Sequence, residues 1–213
     1  MSHIVLLPGD GIGPEIVAEA LKALRVLRPG DTFETQLIGG AAIAATGTAL
    51  PDATRDTCAR ADAVLLGAVG GPRWDDPSAA VRPEQGLLAI RKALGLYANL
   101  RPVTRWPGLE ASSPLKPELL EGVDLLFVRE LTGGIYFGEP REEGTERAFD
   151  TLVYTAPEVR RIVELAFRLA ARRRRRVTSI DKANVLASMR LWRHVAGAVA
   201  AAHPEIAFAH QLV

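Results

Sequence analysis

The sequence predicts an α/β protein with a mostly parallel sheet, helices on both faces and two domains. Three observations carry that expectation. Apolar, β-branched runs alternate along the chain with amphipathic helical patterns. The first run passes through a glycine turn straight into a helix, in HIVLLPGDGIGPE at 3–15. Two later runs end in polar, charged stretches, RELTGG at 129–134 and DKAN at 181–184. Strand ends of that kind are where an open α/β sheet places its chemistry.

Each element has its own signal. HIVLL (3–7) reads as a strand. Pro14 suits the first position of a helix, and Ile16, Val17, Ala20, Leu21, Leu24 and Leu27 give that helix one apolar face. FETQLI (33–38) and AVLLGAV (63–69) are predicted strands, with PDATRDTCARA (51–61) a helix between them. The Gly/Pro-rich stretch at 70–84 reads as a loop, and its length suggests a binding role. Residues 84–104 give a helix carrying Arg91, then a strand or loop carrying Arg101. VDLLFV (123–128) reads as a buried strand and FDTLVYT (149–155) as another. A helix is expected from about 157 to 175, then a strand at 177–180, a helix near 184–202 and a strand at 206–213. No internal repeat or low-complexity linker interrupts the pattern.

Composition excludes several classes. The 213 residues are 48% hydrophobic and 24% charged, ordinary for a soluble globular protein. A net charge of +1 argues against a nucleic-acid protein or a polybasic membrane binder. No apolar run approaches the ~20 residues needed to cross a bilayer, and no secretory signal pattern opens the chain. Cys58 is the one cysteine, which rules out an intrachain disulfide and reads as a small helical filler. A cytoplasmic protein is expected. The arginine run at 172–176 reads as solvated cations complementing a helix C-terminus.

The candidate chemistry lies at strand ends. Arg129 is a fixed cation matched to carboxylates, and Tyr136, seven residues on, is a phenol able to donate or accept a proton. From these residues alone a surface pair beside a hairpin is an equal reading. Arg91, Arg101 and Arg129 fall on three separate elements, and convergence of the three would hold a substrate with two carboxylates. Lys182 follows the strand at 177–180; a lysine serves as a base only where burial or neighbouring cations favour its neutral form. GDGIGPE (9–15) is not the dinucleotide fingerprint, because its glycines are spaced G-x-G-x-G.

With these motifs in this order, HIVLLPGDGIGPE, EQGLLAIRKALGLYANLRPVT, RELTGGIYFGEP and IDKANVL, the chain resembles the isocitrate/isopropylmalate dehydrogenase family over essentially its whole length. The resemblance implies that family's two-domain fold, which is not a Rossmann fold. It places 1–98 in a cofactor-side domain and 99–213 in a substrate and dimer-interface domain, with an arm near 134–155. It implies NAD-dependent oxidative decarboxylation of 3-isopropylmalate, with Mg²⁺ or Mn²⁺ as the metal, in a homodimer. Arg91, Arg101 and Arg129 would hold the malate part, with Leu87 and Leu88 against the isopropyl group. Tyr136 would protonate the enol, and Lys182 would act across the dimer on the C2 hydroxyl. Ile12, Gly71, Pro72, Arg73, Trp74, Glu84 and Asn184 would contact NAD, although Trp74 by itself reads better as a packing residue. NAD over NADP rests on the family alone. Homoisocitrate, tartrate and isocitrate enzymes are the near alternatives.

The family's metal-binding aspartates and adenosine loops correspond to sequence beyond Val213. The expectation is therefore the N-terminal part of such an enzyme, inactive alone and with an exposed apolar edge at 206–213. A catalytically dead dimerising protein is the second reading.

Overall fold

The computed structural model describes residues 1–76 and 78–213. The chain divides into two compact units, 1–95 and 96–213.

The first unit is built on three parallel strands: β1 (His3–Gly9), β2 (Thr32–Thr35) and β3 (Ala63–Ala68), in the order β2-β1-β3. Helix α1 (Gly13–Leu27) crosses from β1 to β2 and packs on β1 and β3. Two glycines allow that approach. A Cβ on Gly67 would meet the backbone at Pro8 and Gly13, and one on Gly13 would stand 2.8 Å from the Ala68 nitrogen. The apolar face of α1 is narrower than its pattern suggests. Val17 is buried and Ala20, Leu21 and Leu24 are half-buried, but Ile16 and Leu27 point to solvent. The three-stranded sheet is too small to cover both ends of that stripe.

Helices α2 (Gly39–Thr46), α3 (Asp52–Arg60) and α4 (Pro83–Ala93) complete the unit. Its core joins Val5, Leu7, Ile38, Cys58 and Ile90. The strand expected at 33–38 stops at Thr35, so Ile38 can drop into this core just ahead of α2. The stretch at 70–84 is not loop throughout. It contains a 3₁₀ turn (Pro72–Trp74), and α4 starts at Pro83, which puts Glu84 in the first helical turn.

The second unit pairs β4 (Ala98–Thr104) antiparallel with β5 (Asp124–Glu130), in register from Ala98 opposite Glu130 to Thr104 opposite Asp124. Between them stand a 3₁₀ turn (Glu110–Ser112) and the single turn α5 (Pro117–Leu120). Strand β6 (Gly134–Glu142) pairs antiparallel with β7 (Phe149–Val153), forming a ribbon with two register shifts. Helix α6 (Ala156–Ala171), strand β8 (Arg176–Asp181), helix α7 (Ala187–Ala201) and strand β9 (Ala207–Leu212) follow, with β8 and β9 parallel. The core is α6 against α7, with Val159, Ile162, Val163, Phe167, Val195, Ala196 and Val199 buried together. Three strand pairings are therefore parallel and two antiparallel among the described residues.

Three expectations need correction here. VDLLFV is not a buried strand: Leu125 and Phe127 are more than half exposed, because β5 is one half of a ribbon with an open face. The arginine run lies outside α6, in the turn to β8, where Arg175 adopts φ +52°. Arg173 there binds the Asp124 carboxylate at 2.6 Å, so this cation has a partner across the fold. The helix expected near 184 starts at Ala187, after a turn in which Val185 and Leu186 donate to the Lys182 carbonyl.

Candidate active site at three strand ends

At the end of β1, the chain turns tightly through Gly9 and Gly11, both at positive φ. Asp10 lies in that turn and is buried. Its Oδ2 accepts the Gly40 N–H at 2.8 Å and the Gly70 N–H at 2.9 Å, while Oδ1 accepts the Ala41 N–H at 2.7 Å. One carboxylate thus joins the β1 turn, the start of α2 and the chain leaving β3. Ile12 is 55% exposed beside it, at the N-cap of α1.

The 70–74 stretch follows. A Cβ on Gly70 would stand 2.7 Å from a Glu84 carboxylate oxygen, so that side chain lies against this backbone. Gly71 has open space where a Cβ would stand, and Pro72 and Arg73 are exposed. Trp74 packs its indole onto Gly40, where any Cβ would collide with the ring, and the Arg73 guanidinium lies 5.1 Å from the ring centroid. On α4, Leu87 and Leu88 are half-buried and one turn before Arg91, so all three share a helix face.

The end of β5 shows why RELTGG has its composition. Successive residues point to opposite faces of a strand. Glu130 points in, with its side chain 1% exposed, and accepts the Thr132 N–H at 2.9 Å, the Gly133 N–H at 2.7 Å and the Thr132 hydroxyl at 2.6 Å. Arg161 of α6 adds a 3.1 Å ion pair and lays its guanidinium 4.8 Å from the Tyr97 ring centroid. Arg129 points out, its guanidinium 5.6 Å from the ring centroid of Tyr136 on β6. The register puts Asn99 opposite Arg129, so Arg101, two residues along β4, shares the open face with Arg129. The two glycines have a steric reason. A Cβ on Gly133 would stand 2.9 Å from the Tyr154 ring, and one on Gly134 2.7 Å from the Tyr154 hydroxyl. Burial, with the nearby Glu130 and Glu158 charges, pushes the Tyr154 phenol up despite Arg129.

The end of β8 repeats the device. Asp181 is fully buried and takes a bidentate grip from Arg193 of α7, at 2.9 Å and 2.8 Å. It also accepts the Ala183 N–H at 2.9 Å, with His210 at 3.6 Å. Burial acts to raise its pKa, but the Arg193 and Ala183 hydrogen bonds and the charges of Arg193 and His210 outweigh it and hold the carboxyl low. Lys182 and Asn184 are exposed in the turn that follows, where the Lys182 amine donates to the Val213 carbonyl.

The expected site residues thus fall into separate groups. Arg101 and Arg129 share the open face of the β4–β5 ribbon, with Tyr136 of β6 against Arg129; Leu87, Leu88 and Arg91 share one face of α4; Lys182 and Asn184 share one turn. Asp10, Glu130 and Asp181, which hold these turns, were not singled out as site residues in the sequence. Their signal was present: each is an acidic residue at or just past a strand end, beside a candidate site residue or its turn.

Fold and strand ends together describe an α/β protein with arginine, lysine and buried acids at the carboxyl ends of its strands. The comparisons narrow the class. The profile described as isocitrate/isopropylmalate dehydrogenase matches residues 3–213. The 3-isopropylmalate dehydrogenase of Anaeromyxobacter dehalogenans (strain 2CP-C) is 58% identical over all of this chain and 62% of its own length. That of Bacillus caldotenax is 57% identical over 99% of this chain and 60% of its own. Among solved structures, isocitrate dehydrogenase from Methylococcus capsulatus superposes with a TM-score of 0.84 at 32% identity, over 100% of this chain and 60% of that one. The chain belongs to the isocitrate/isopropylmalate dehydrogenase family. It spans about 60% of the length of the curated relatives it matches. No helix among the described residues is long and apolar enough to cross a membrane.

Proposed function

We propose that the chain contributes the substrate-holding and proton-moving side of an NAD-dependent 3-isopropylmalate dehydrogenase of cytoplasmic leucine biosynthesis. The observation supporting this most directly is Arg129 and Tyr136 in contact at the end of β5, with Arg101 on the same open face. In this reading Arg91, Arg101 and Arg129 hold the two carboxylates of (2R,3S)-3-isopropylmalate by charge-assisted forks. Leu87 and Leu88 pack on the isopropyl group. Lys182, from the second copy of a homodimer, takes the C2 hydroxyl proton, and Tyr136 returns a proton to carbon after decarboxylation. The β6–β7 ribbon is the arm that crosses to that copy. Bound NAD would supply the acceptor for the C2 hydride. Open backbone at Gly71 and the exposed Ile12, Arg73 and Glu84 suit a nucleotide approaching the first unit, with Pro72, Trp74 and Asn184 completing its contacts.

A divalent metal is a different matter. Such an ion is held by carboxylate oxygens completed by water and substrate. The described residues hold no group of three or more His, Cys, Asp or Glu placed to bind one, and the buried Asp10, Glu130 and Asp181 are each taken up by backbone N–H groups or an arginine. The residues present do not fit the metal, and no step above is routed through it.

Isothermal calorimetry with 3-isopropylmalate tests the reading. Binding by the folded chain should weaken about tenfold or more in R129M, since a charged hydrogen-bond partner is lost. The absence of any binding to the wild-type chain would sink it. Isocitrate serves as the comparison ligand: the leucine face of α4 disfavours a third carboxylate, so tighter binding of isocitrate would move the assignment to that branch of the family.

A further inference from the structure

We infer that Asp10 is a positioning residue for the nucleotide-side loop, locking 70–74 into shape before any ligand arrives. The inference rests on the reading of that loop as an NAD contact. Asp10 is 7% exposed, and all three of its hydrogen bonds come from backbone N–H groups. Two of those donors open α2, where the helix dipole also favours a negative charge. The third belongs to Gly70, where the chain leaves β3 at φ +91°. The surroundings are built around this carboxylate. A Cβ on Gly39 would stand 2.5 Å from Asp10 Oδ2, so glycine is required beside it. Trp74 closes the bracket from the far end of the loop by packing on Gly40, whose N–H Asp10 also holds. Both ends of the 70–74 stretch are therefore fastened to the start of α2, one through Asp10 and one through the indole.

The two variants grade the tether. Asparagine can keep one carbonyl oxygen at the Oδ2 position for Gly40 and Gly70, but its NH2 group then faces the Ala41 N–H, donor against donor, so it keeps only part of the tether. Alanine releases all three donors. The experiment compares wild type, D10N and D10A by amide hydrogen exchange at Gly70 and across 71–74, and by NADH binding followed through its fluorescence. The Gly70 amide should be protected in the ligand-free wild type. D10A should lower that protection and weaken NADH binding by about tenfold or more each, with D10N between wild type and D10A. Exchange across 156–171, in the second unit, should not change. An unprotected Gly70 in wild type overturns the inference without any variant. So does D10A that matches wild type in exchange. A protected Gly70 released in D10A, in a chain that binds no NADH, supports the tether and refutes the nucleotide reading instead.

Discussion

Arg193 and Asp181 show how unequal the two halves of an ion pair can be. Asp181 has no exposed side-chain surface, whereas Arg193 is 36% exposed. Removing the arginine strands a buried carboxylate; removing the carboxylate leaves an arginine that water can reach. R193M should therefore cost more stability than D181N, on the order of 3–5 kcal/mol by urea denaturation at pH 7. The pH dependence has a definite sign. The folded carboxyl titrates below its ordinary value near 3.8, so its stabilisation is present above about pH 4 and fades as pH falls through the lower folded value. D181N should flatten that acid limb, which urea midpoints at pH 7 and pH 3 will show. Cys58 offers a second residue-scale expectation. Burial, reinforced by the Glu34 charge, pushes its thiol up, so a thiol reagent at neutral pH should label it slowly in the native state and quickly in urea. The placement of Arg129 at the end of a strand was legible in the sequence. The buried acids were harder to read, because a carboxylate bonded to backbone looks in sequence like any surface Asp or Glu.

At the scale of elements, legibility followed periodicity. Helix α6 announces itself through Thr155, Pro157 and Glu158, and the Glu158 carboxylate takes the Thr155 N–H at 2.8 Å. Helix α2 hid, because GGAAIAAT has no polar face to alternate with its small residues. Strand β6 hid as well: GIYFGEPRE carries two glycines and a proline, which read as turn chemistry. The ribbon explains one of those glycines. A Cβ on Gly138 would run into the Thr151 carbonyl oxygen on β7, and backbone cannot swing away as a side chain would. G138A should cost about 2–4 kcal/mol, in the range of severe overpacking. Hydrogen exchange should show lost protection in both β6 and β7 while α6 keeps its own.

At the scale of the molecule, the second unit carries an unfilled space. A groove of about 560 Å³ lies between β5 and β8, floored by Ile162, Ala166 and Leu169, and α6 packs beneath both strands. Among the described residues neither facing edge is hydrogen-bonded to another strand, and unpaired edges recruit partners. The isolated chain should self-associate with rising concentration by light scattering and bind a hydrophobic dye. I180K, at a position 51% exposed on β8, should reduce both. Scattering that stays flat to high concentration would count against this. The α/β class was legible from the alternation of runs, but the facing edges of β5 and β8 were not, since an isolated strand pattern does not say how many neighbours it will find.

The boundary at Gly95 has a consequence in time. Among the described residues, every strand of the first unit pairs with others that precede residue 95. Synthesis runs from the N-terminus at about 5–20 residues per second, and domains generally fold as units. On a ribosome, the bracket around Asp10 can close while the arginines and tyrosine of the second unit are still being translated.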